Sequence, residues 1–217
     1  MPTTFEFTDI AGIVKGASKG EGLGNQFLSH IRQVDEFCLV VRCFDDDNMR
    51  HVEGRIDALA DIDTINLELV LADLESITKR YTRVAKIAKT KDKDAVAELA
   101  VLDKIKPVLE EGRSARSIEF TDEEQKIVKS LFLLTTKPIL YVANVAEDEV
   151  ADSDTNHYVQ AVRNFAAEEN AEVIVVSARA EEEIAELDEE DKAEFLEALG
   201  IEVSGLDQLI RAAYDLL

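Results

Sequence analysis

The sequence predicts an α/β protein in which a mostly parallel sheet flanked by helices carries an inserted antiparallel α-helical coiled-coil arm. Three observations lead there. Short β-branched apolar runs at 37–41, 139–143 and 173–176 alternate with segments whose apolar residues recur every three or four positions, the pattern of buried parallel strands joined by crossover helices. Between the first two runs, Leu67, Val70, Leu74, Ile77, Tyr81, Val84 and Ala88 step alternately by three and four, which makes a seam for a partner helix. Polar residues stand directly after two of the runs, Asn144 and Ser177, where open α/β sheets bind their ligands.

Taken in order, Phe5 and Phe7 alternate with Thr4, Glu6 and Thr8, so a half-buried strand is expected up to Asp9. Gly12, Gly16, Gly20, Gly22 and Gly24 hold five of the nine glycines and predict a mobile loop. Phe27, Leu28, Ile31 and Val34 then mark a helix from Asn25 to Val34, and Phe37 to Val41 reads as a fully buried strand. The seam helix is expected from Leu67 to Ala88, a turn at Lys89 to Lys93, and a second helix from about Asp94 to Leu109 that folds back on the first. Pro107 should kink or restart that helix and Gly112 should close it. Thr121 with Glu124 forms a capping box for a helix to about Leu134. A strand ending at Asn144, a helix through Val159, Val162, Phe165 and Ala166, a strand at 173–176 and a final helix through Leu206, Leu209, Ile210, Tyr214 and Leu217 complete the chain. The boundaries implied are 1–64 and 121–217 for the two parts of the sheet domain and 65–120 for the arm. Because the chain opens inside a strand pattern, it reads as an internal piece of a longer protein.

Composition narrows the function. The 217 residues include 46 Asp and Glu against 24 Lys and Arg, a net charge of −22. Such a surface repels phosphates over most of its area, so only a local basic patch could meet a nucleic acid. No apolar stretch reaches the ~18 residues of a membrane span, and no basic segment followed by an apolar one opens the chain. The expectation is a soluble cytoplasmic protein without membrane contact, monomeric or weakly dimeric. Cys38 and Cys43, five positions apart on one extended run, point to opposite faces and read as small core residues rather than a disulfide.

The residues after the strands are the candidate site. Asp9 and Gly12 follow the first, Asn144, Val145 and Glu147 the third, Ser177 and Ala178 the fourth. An Asp there can hold Mg²⁺ through water, and a glycine N–H can approach a terminal phosphate. Asn and Glu can hydrogen-bond the edge of a base, and the Ser177-Ala178 turn can close over it. In this order, and with the runs Asp9 to Ser18, Gly20 to Asn25, Asn66 to Leu69, Leu71 to Leu74, Asn144 to Glu147 and Arg211 to Tyr214, the chain resembles the Obg-like ATPase (YchF) family of P-loop NTPases over essentially its whole length.

The resemblance implies a Mg²⁺-dependent ATPase that binds the ribosome and acts as a nucleotide-controlled switch in translation or stress response. Asp9 would be the metal sensor and Gly12 the γ-phosphate sensor, and the glycine-rich segment would change on hydrolysis. Two departures from ordinary GTPases stand out. Glu147 occupies the place of the Asp that accepts from guanine, with Val145 in place of a Lys, so ATP is expected over GTP. Ile13 replaces the Gln that orients water, and the family's substitute, a loop histidine, corresponds to His51, which is placed as the catalytic residue. A third departure is an absence: the chain contains no Gly-Lys dipeptide, hence no P-loop. Family members carry that motif upstream and a TGS domain downstream, so the chain alone is expected to be inactive.

One further feature breaks the charge pattern. Lys79, Arg80, Arg83, Lys86, Lys89, Lys91 and Lys93 face a single acid, Asp92, at the end of the arm, where they could reach RNA phosphates of a ribosome. Ten acids against Lys192 between Glu181 and Glu197 read as a solvated helix surface. His30 and His157 read as packing or surface residues. The rival from another class is a non-catalytic RNA or ribosome interaction module with a vestigial nucleotide site; a GTPase is the third reading.

Overall fold

The three β-branched runs become three strands in the computed structural model, which describes residues 4, 6–10, 23–45 and 57–216. They are β1 (Phe37–Arg42), β2 (Ile139–Asn144) and β3 (Glu172–Val176), in one parallel sheet of order β1-β2-β3. The register sets Arg42 beside Asn144 and Asn144 beside Val176, so the carboxyl ends of the strands finish level. The α-helices are α1 (Leu23–Gln33), α2 (Ala58–Ala88), α3 (Lys93–Glu110), α4 (Asp122–Leu131), α5 (His157–Glu168), α6 (Ala178–Ala185), α7 (Glu189–Leu199) and α8 (Gly205–Leu216). The chain divides into a helical unit, Met1–Val34 with Thr64–Thr136, and a sheet unit, Asp35–Asp63 with Lys137–Leu217.

In the sheet unit β2 is central and its first five residues are buried. Val159, Val162 and Ala166 of α5 are buried, and Phe165 meets the Tyr141 ring edge-on at 6.0 Å. The Tyr141 hydroxyl donates to Glu169 Oε2 at 2.8 Å. On the other face Leu140, Val142 and Ile174 form a core with Ala212 of α8, flanked by Cys38, Val176, Leu209 and Leu216. The strand expected to be fully buried is not: Val40 is 64% exposed. β1 ends the described sheet, and the α8 core takes only Cys38 from it.

In the helical unit α2 and α3 form a hairpin. Asp92 caps α3 by accepting from Ala95 N at 2.8 Å, and Arg80 pairs with Glu98 across the two helices. The seam residues Val70, Ile77 and Val84 are buried against Val101, Leu102, Ile105 and Leu109, together with Val128 of α4. The seam residue Leu67 is half exposed. The helix also starts nine residues before the seam, at Ala58, because Asp57 accepts from Ala60 N at 3.0 Å and supplies a start signal that apolar spacing does not carry. Nor does Pro107 end or restart α3, which continues to Glu110. One turn from the end Pro removes a single helical bond, and Ile105 and Leu109 anchor that turn in the core.

Gly112 closes α3 at φ +77°, with Gly112 N donating to Leu109 O at 2.9 Å and Arg113 N to Val108 O at 3.1 Å, the paired bonds of a left-handed glycine cap. The Thr121–Glu124 capping box is present, both bonds at 3.2 Å. The helix it opens stops at Leu131 rather than Leu134, because Phe132 turns left-handed at φ +51°. The residues beyond are held by Asp73, 1% exposed, whose two carboxylate oxygens accept from Leu134 N and Thr135 N, each at 2.8 Å.

The strand expected at Thr4 to Thr8 is also absent among the described residues, since 4 and 6–10 lie in no strand and Phe7 is exposed. Alternation names the face that would be buried, but a strand also requires a ladder. Of the glycine loop expected at Gly12 to Gly24, the part up to Gly22 lies outside the described residues and Gly24 falls in α1; His51, expected from the resemblance to be catalytic, also lies outside the described residues.

Candidate nucleotide site

The carboxyl ends of β2 and β3 bring together five of the residues singled out in the sequence. Asn144, the last residue of β2, accepts through Oδ1 from Ala178 N at 2.9 Å. Only the oxygen of the amide can accept, so this bond fixes the orientation of the side chain and leaves the Nδ2 donors without a protein partner among the described residues. Val145, buried, donates its backbone N–H to Val176 O at 2.8 Å. The segments that follow the two strands are thereby tied to each other twice, once by main chain and once by the Asn144 amide.

Ser177 shapes the second segment. It is buried, and its Oγ accepts from Ala180 N at 3.2 Å, which caps α6. Ala178 follows it, exposed. Glu147 opens a short 3₁₀ turn and is half-buried, and Arg179 Nε lies 3.9 Å from both Glu147 Oε2 and Glu183 Oε1. Arg179 is exposed, so this long contact orients charge rather than adding much stability.

Two residues that support the site were not read from the sequence. Asn156 caps α5, accepting from Tyr158 N and Val159 N, and donates from Nδ2 to Cys43 O at 2.8 Å. Cys43 N in turn donates to Asn144 O at 2.8 Å, so a hydrogen-bonded path leads from the cap of α5 to the site. Asn directly before a helical apolar pattern was a readable capping signal. Glu181 accepts from Gly205 N at 2.5 Å and Leu206 N at 3.3 Å; this contact spans 24 residues and has no local signature.

Asp9 belongs to the helical unit and is exposed. Its partner in the sequence reading, Gly12, is outside the described residues. No group of three His, Cys, Asp or Glu that could hold a metal exists among the described residues. Mg²⁺ at a nucleotide needs only one or two carboxylates beside phosphate oxygens and water, and an open Asp9 carboxylate suits that donor set. The arm cations are exposed apart from Arg80. Arg80 is spent on Glu98 and Lys79 on Glu75, whereas among the described residues Arg83, Lys86, Lys89, Lys91 and Lys93 make no ion pair.

A parallel sheet between helices, with polar residues gathered beyond its carboxyl ends, is an open α/β fold with the ligand-site placement of a nucleotide-binding domain. No protein-family model matches the chain. It is 66% identical over 217 residues to the ribosome-binding ATPase YchF of Bacillus subtilis, 54% identical over 217 residues to that of Haemophilus influenzae, and 41% identical over 215 residues to that of Mycoplasma pneumoniae. These matches cover 98–100% of the chain and 59% of each relative, so it spans about three-fifths of their length. Among solved structures, the YchF GTPase of Schizosaccharomyces pombe superposes with a TM-score of 0.80 at 35% identity, covering 96% of this chain and 57% of that one. Over its whole length the chain is homologous to part of the YchF proteins.

Proposed function

We propose that the chain carries the base-recognition side of a ribosome-associated, cytoplasmic ATPase. The observation that bears most weight is the Asn144 Oδ1 bond to Ala178 N. It presents the amide N–H groups as donors at the end of β2, and a purine ring offers an acceptor of that kind at N7. Glu147, one methylene longer than Asp and turned to Arg179, is poorly placed to accept from guanine, which supports adenine. The relatives are described as ribosome-binding ATPases and the structural neighbour as a GTPase, so base preference is the point to test.

In the complete reaction Asp9 would be the residue to hold Mg²⁺, which when bound would supply neutralisation of phosphate charge; Gly12 would sense the γ-phosphate and His51 would place the attacking water, with the glycine-rich segment as the switch. The arm at 65–120, read as a coiled coil, offers its basic end to ribosomal RNA, between the two parts of the nucleotide domain at 1–64 and 121–217. The five unpaired cations at that end also support the second reading, an RNA or ribosome interaction module without catalysis.

Calorimetric titration with Mg²⁺-ATP and Mg²⁺-GTP separates these readings. It is made on this chain and on one extended with the parts of the Bacillus subtilis relative that lie outside the match. The extended protein should bind ATP more tightly than GTP and hydrolyse it, and this chain should bind weakly without turnover. Asn144→Ala should weaken both nucleotides by about tenfold, the worth of about one hydrogen bond, and Glu147→Asp should improve GTP relative to ATP. Binding of neither nucleotide by the extended protein leaves the interaction module.

A further inference from the structure

Arg42 ends β1 and stands in register with Asn144. Paired residues of neighbouring parallel strands leave the sheet on the same face, so the guanidinium and the Asn144 amide emerge side by side at the carboxyl end. The Arg42 side chain is incompletely satisfied there. Among the described residues its Nε and Nη2 are shielded from solvent and have no hydrogen-bond partner, and its Cζ lies over the Phe44 ring, 4.8 Å from the centroid. The ring serves the face of the guanidinium and leaves its edge unmet. Nε–H and the adjacent Nη2–H are parallel donors on one side of the fork, the edge that grips two oxygens of an oxyanion. Keeping two such donors of a permanent cation dry and unpaired is costly, so a site with this edge is built for an anion.

We propose that Arg42 is an anion-binding residue of the nucleotide site, holding two oxygens of a phosphoryl group through this edge. The assignment rests on the nucleotide reading for the identity of the natural ligand, though not for the existence of the anion site. The half-buried Phe44 ring, past the last ladder bond made by Cys43 N, stays on the face of the guanidinium while the anion takes the edge.

The Nε–H resonance of Arg42 in the ¹³C,¹⁵N-labelled chain, assigned through its correlations to the Arg42 side-chain carbons and backbone, tests this during separate titrations with pyrophosphate, ATP and adenosine. The resonance should move with pyrophosphate and ATP and stay still with adenosine. Affinity for ATP should fall about tenfold in Arg42→Lys, which keeps the charge and loses the fork, and further in Arg42→Gln, with adenosine affinity unchanged. Movement with pyrophosphate but not ATP supports the anion site while the nucleotide reading fails; movement with ATP but not pyrophosphate overturns a phosphoryl-binding edge. A resonance that no ligand moves overturns the proposal even if the variants do not fold, because it is read on the unsubstituted chain. Equal losses for ATP and adenosine in Arg42→Lys overturn it as well.

Discussion

Cys43 and Cys38 sit on one strand and its extension, yet differ from reactive thiols for the same physical reason. Burial, with the charge of Glu149 as a smaller cause, pushes the Cys43 thiol up to about 12, and burial with Glu36 pushes Cys38 up to about 11. At pH 8 the thiolate fraction is then about one in a thousand for Cys38 and lower for Cys43. A thiol-specific disulfide reagent at pH 8 should leave both unmodified in the native protein and titrate two thiols in guanidinium; fast native reaction of either would contradict the burial. The stability consequence has one sign. Both folded values lie above the ordinary thiol value of about 8.5, so the contribution is complete below that pH and is lost as pH rises through 11 to 12. Asp73 shows burial acting on a carboxyl: desolvation raises its pKa, and the bonds from Leu134 and Thr135 only oppose this. The sequence identified the cysteines as core residues from their apolar strand, whereas Asp73 lay in a run quoted for its resemblance, with nothing local to mark it as the buried acceptor of two amides 61 and 62 residues away.

At the scale of elements, two glycines separate backbone strain from crowding. A Cβ at Gly112 would touch nothing within 4 Å, but the residue sits at φ +77°. Gly112→Ala should therefore cost about 1 kcal/mol, from the left-handed conformation alone. At Gly205 a Cβ would meet Val176 Cγ1 at 2.6 Å and Glu181 Oε1 at 2.8 Å, where β3, α6 and α8 converge. Gly205→Ala should cost more, about 1–3 kcal/mol, and also disturb the Glu181 cap of α8. Urea unfolding midpoints of the two variants check the order; a Gly112 variant less stable than the Gly205 variant would reverse the argument. The same contrast explains what was legible. The capping box, Gly112 and the three β-branched strand runs are local patterns and were readable, though only β2 is buried along nearly its whole length. The start of α2 at Asp57, the stop at Phe132 and the absence of a strand at Thr4 to Thr8 depend on caps, backbone conformation and ladders, which apolar periodicity does not encode. Of the site, the residues ending β2 and opening α6 were readable from their place after apolar runs, and Asn156 was readable as a cap; its bond to Cys43 O and both bonds to Glu181 are contacts that only the folded chain creates.

For the molecule as a whole, a net charge of −22 makes a basic segment an exception that must be explained by where its charges go. Lys79 and Arg80 are occupied by Glu75 and Glu98, which leaves Arg83, Lys86, Lys89, Lys91 and Lys93 for a polyanion. Neutralising Z phosphates gives a slope of about −0.7Z to −0.9Z in log K against log salt concentration, so engagement of all five predicts a slope near −4 for a structured RNA. Removing Lys86, Lys89 and Lys91 as glutamines should bring the slope toward −2 and weaken binding at every salt concentration, without changing nucleotide affinity. The measurement is RNA affinity by fluorescence anisotropy between low and physiological salt. A slope that the triple variant leaves unchanged would remove the arm from the RNA contact, because the remaining acidic surface repels phosphate and the interaction would have to lie elsewhere. A slope cut by about half would show that five charges at one end of a hairpin overcome the repulsion of the whole, since screening within a Debye length of about 10 Å at 0.1 M salt lets the local field decide.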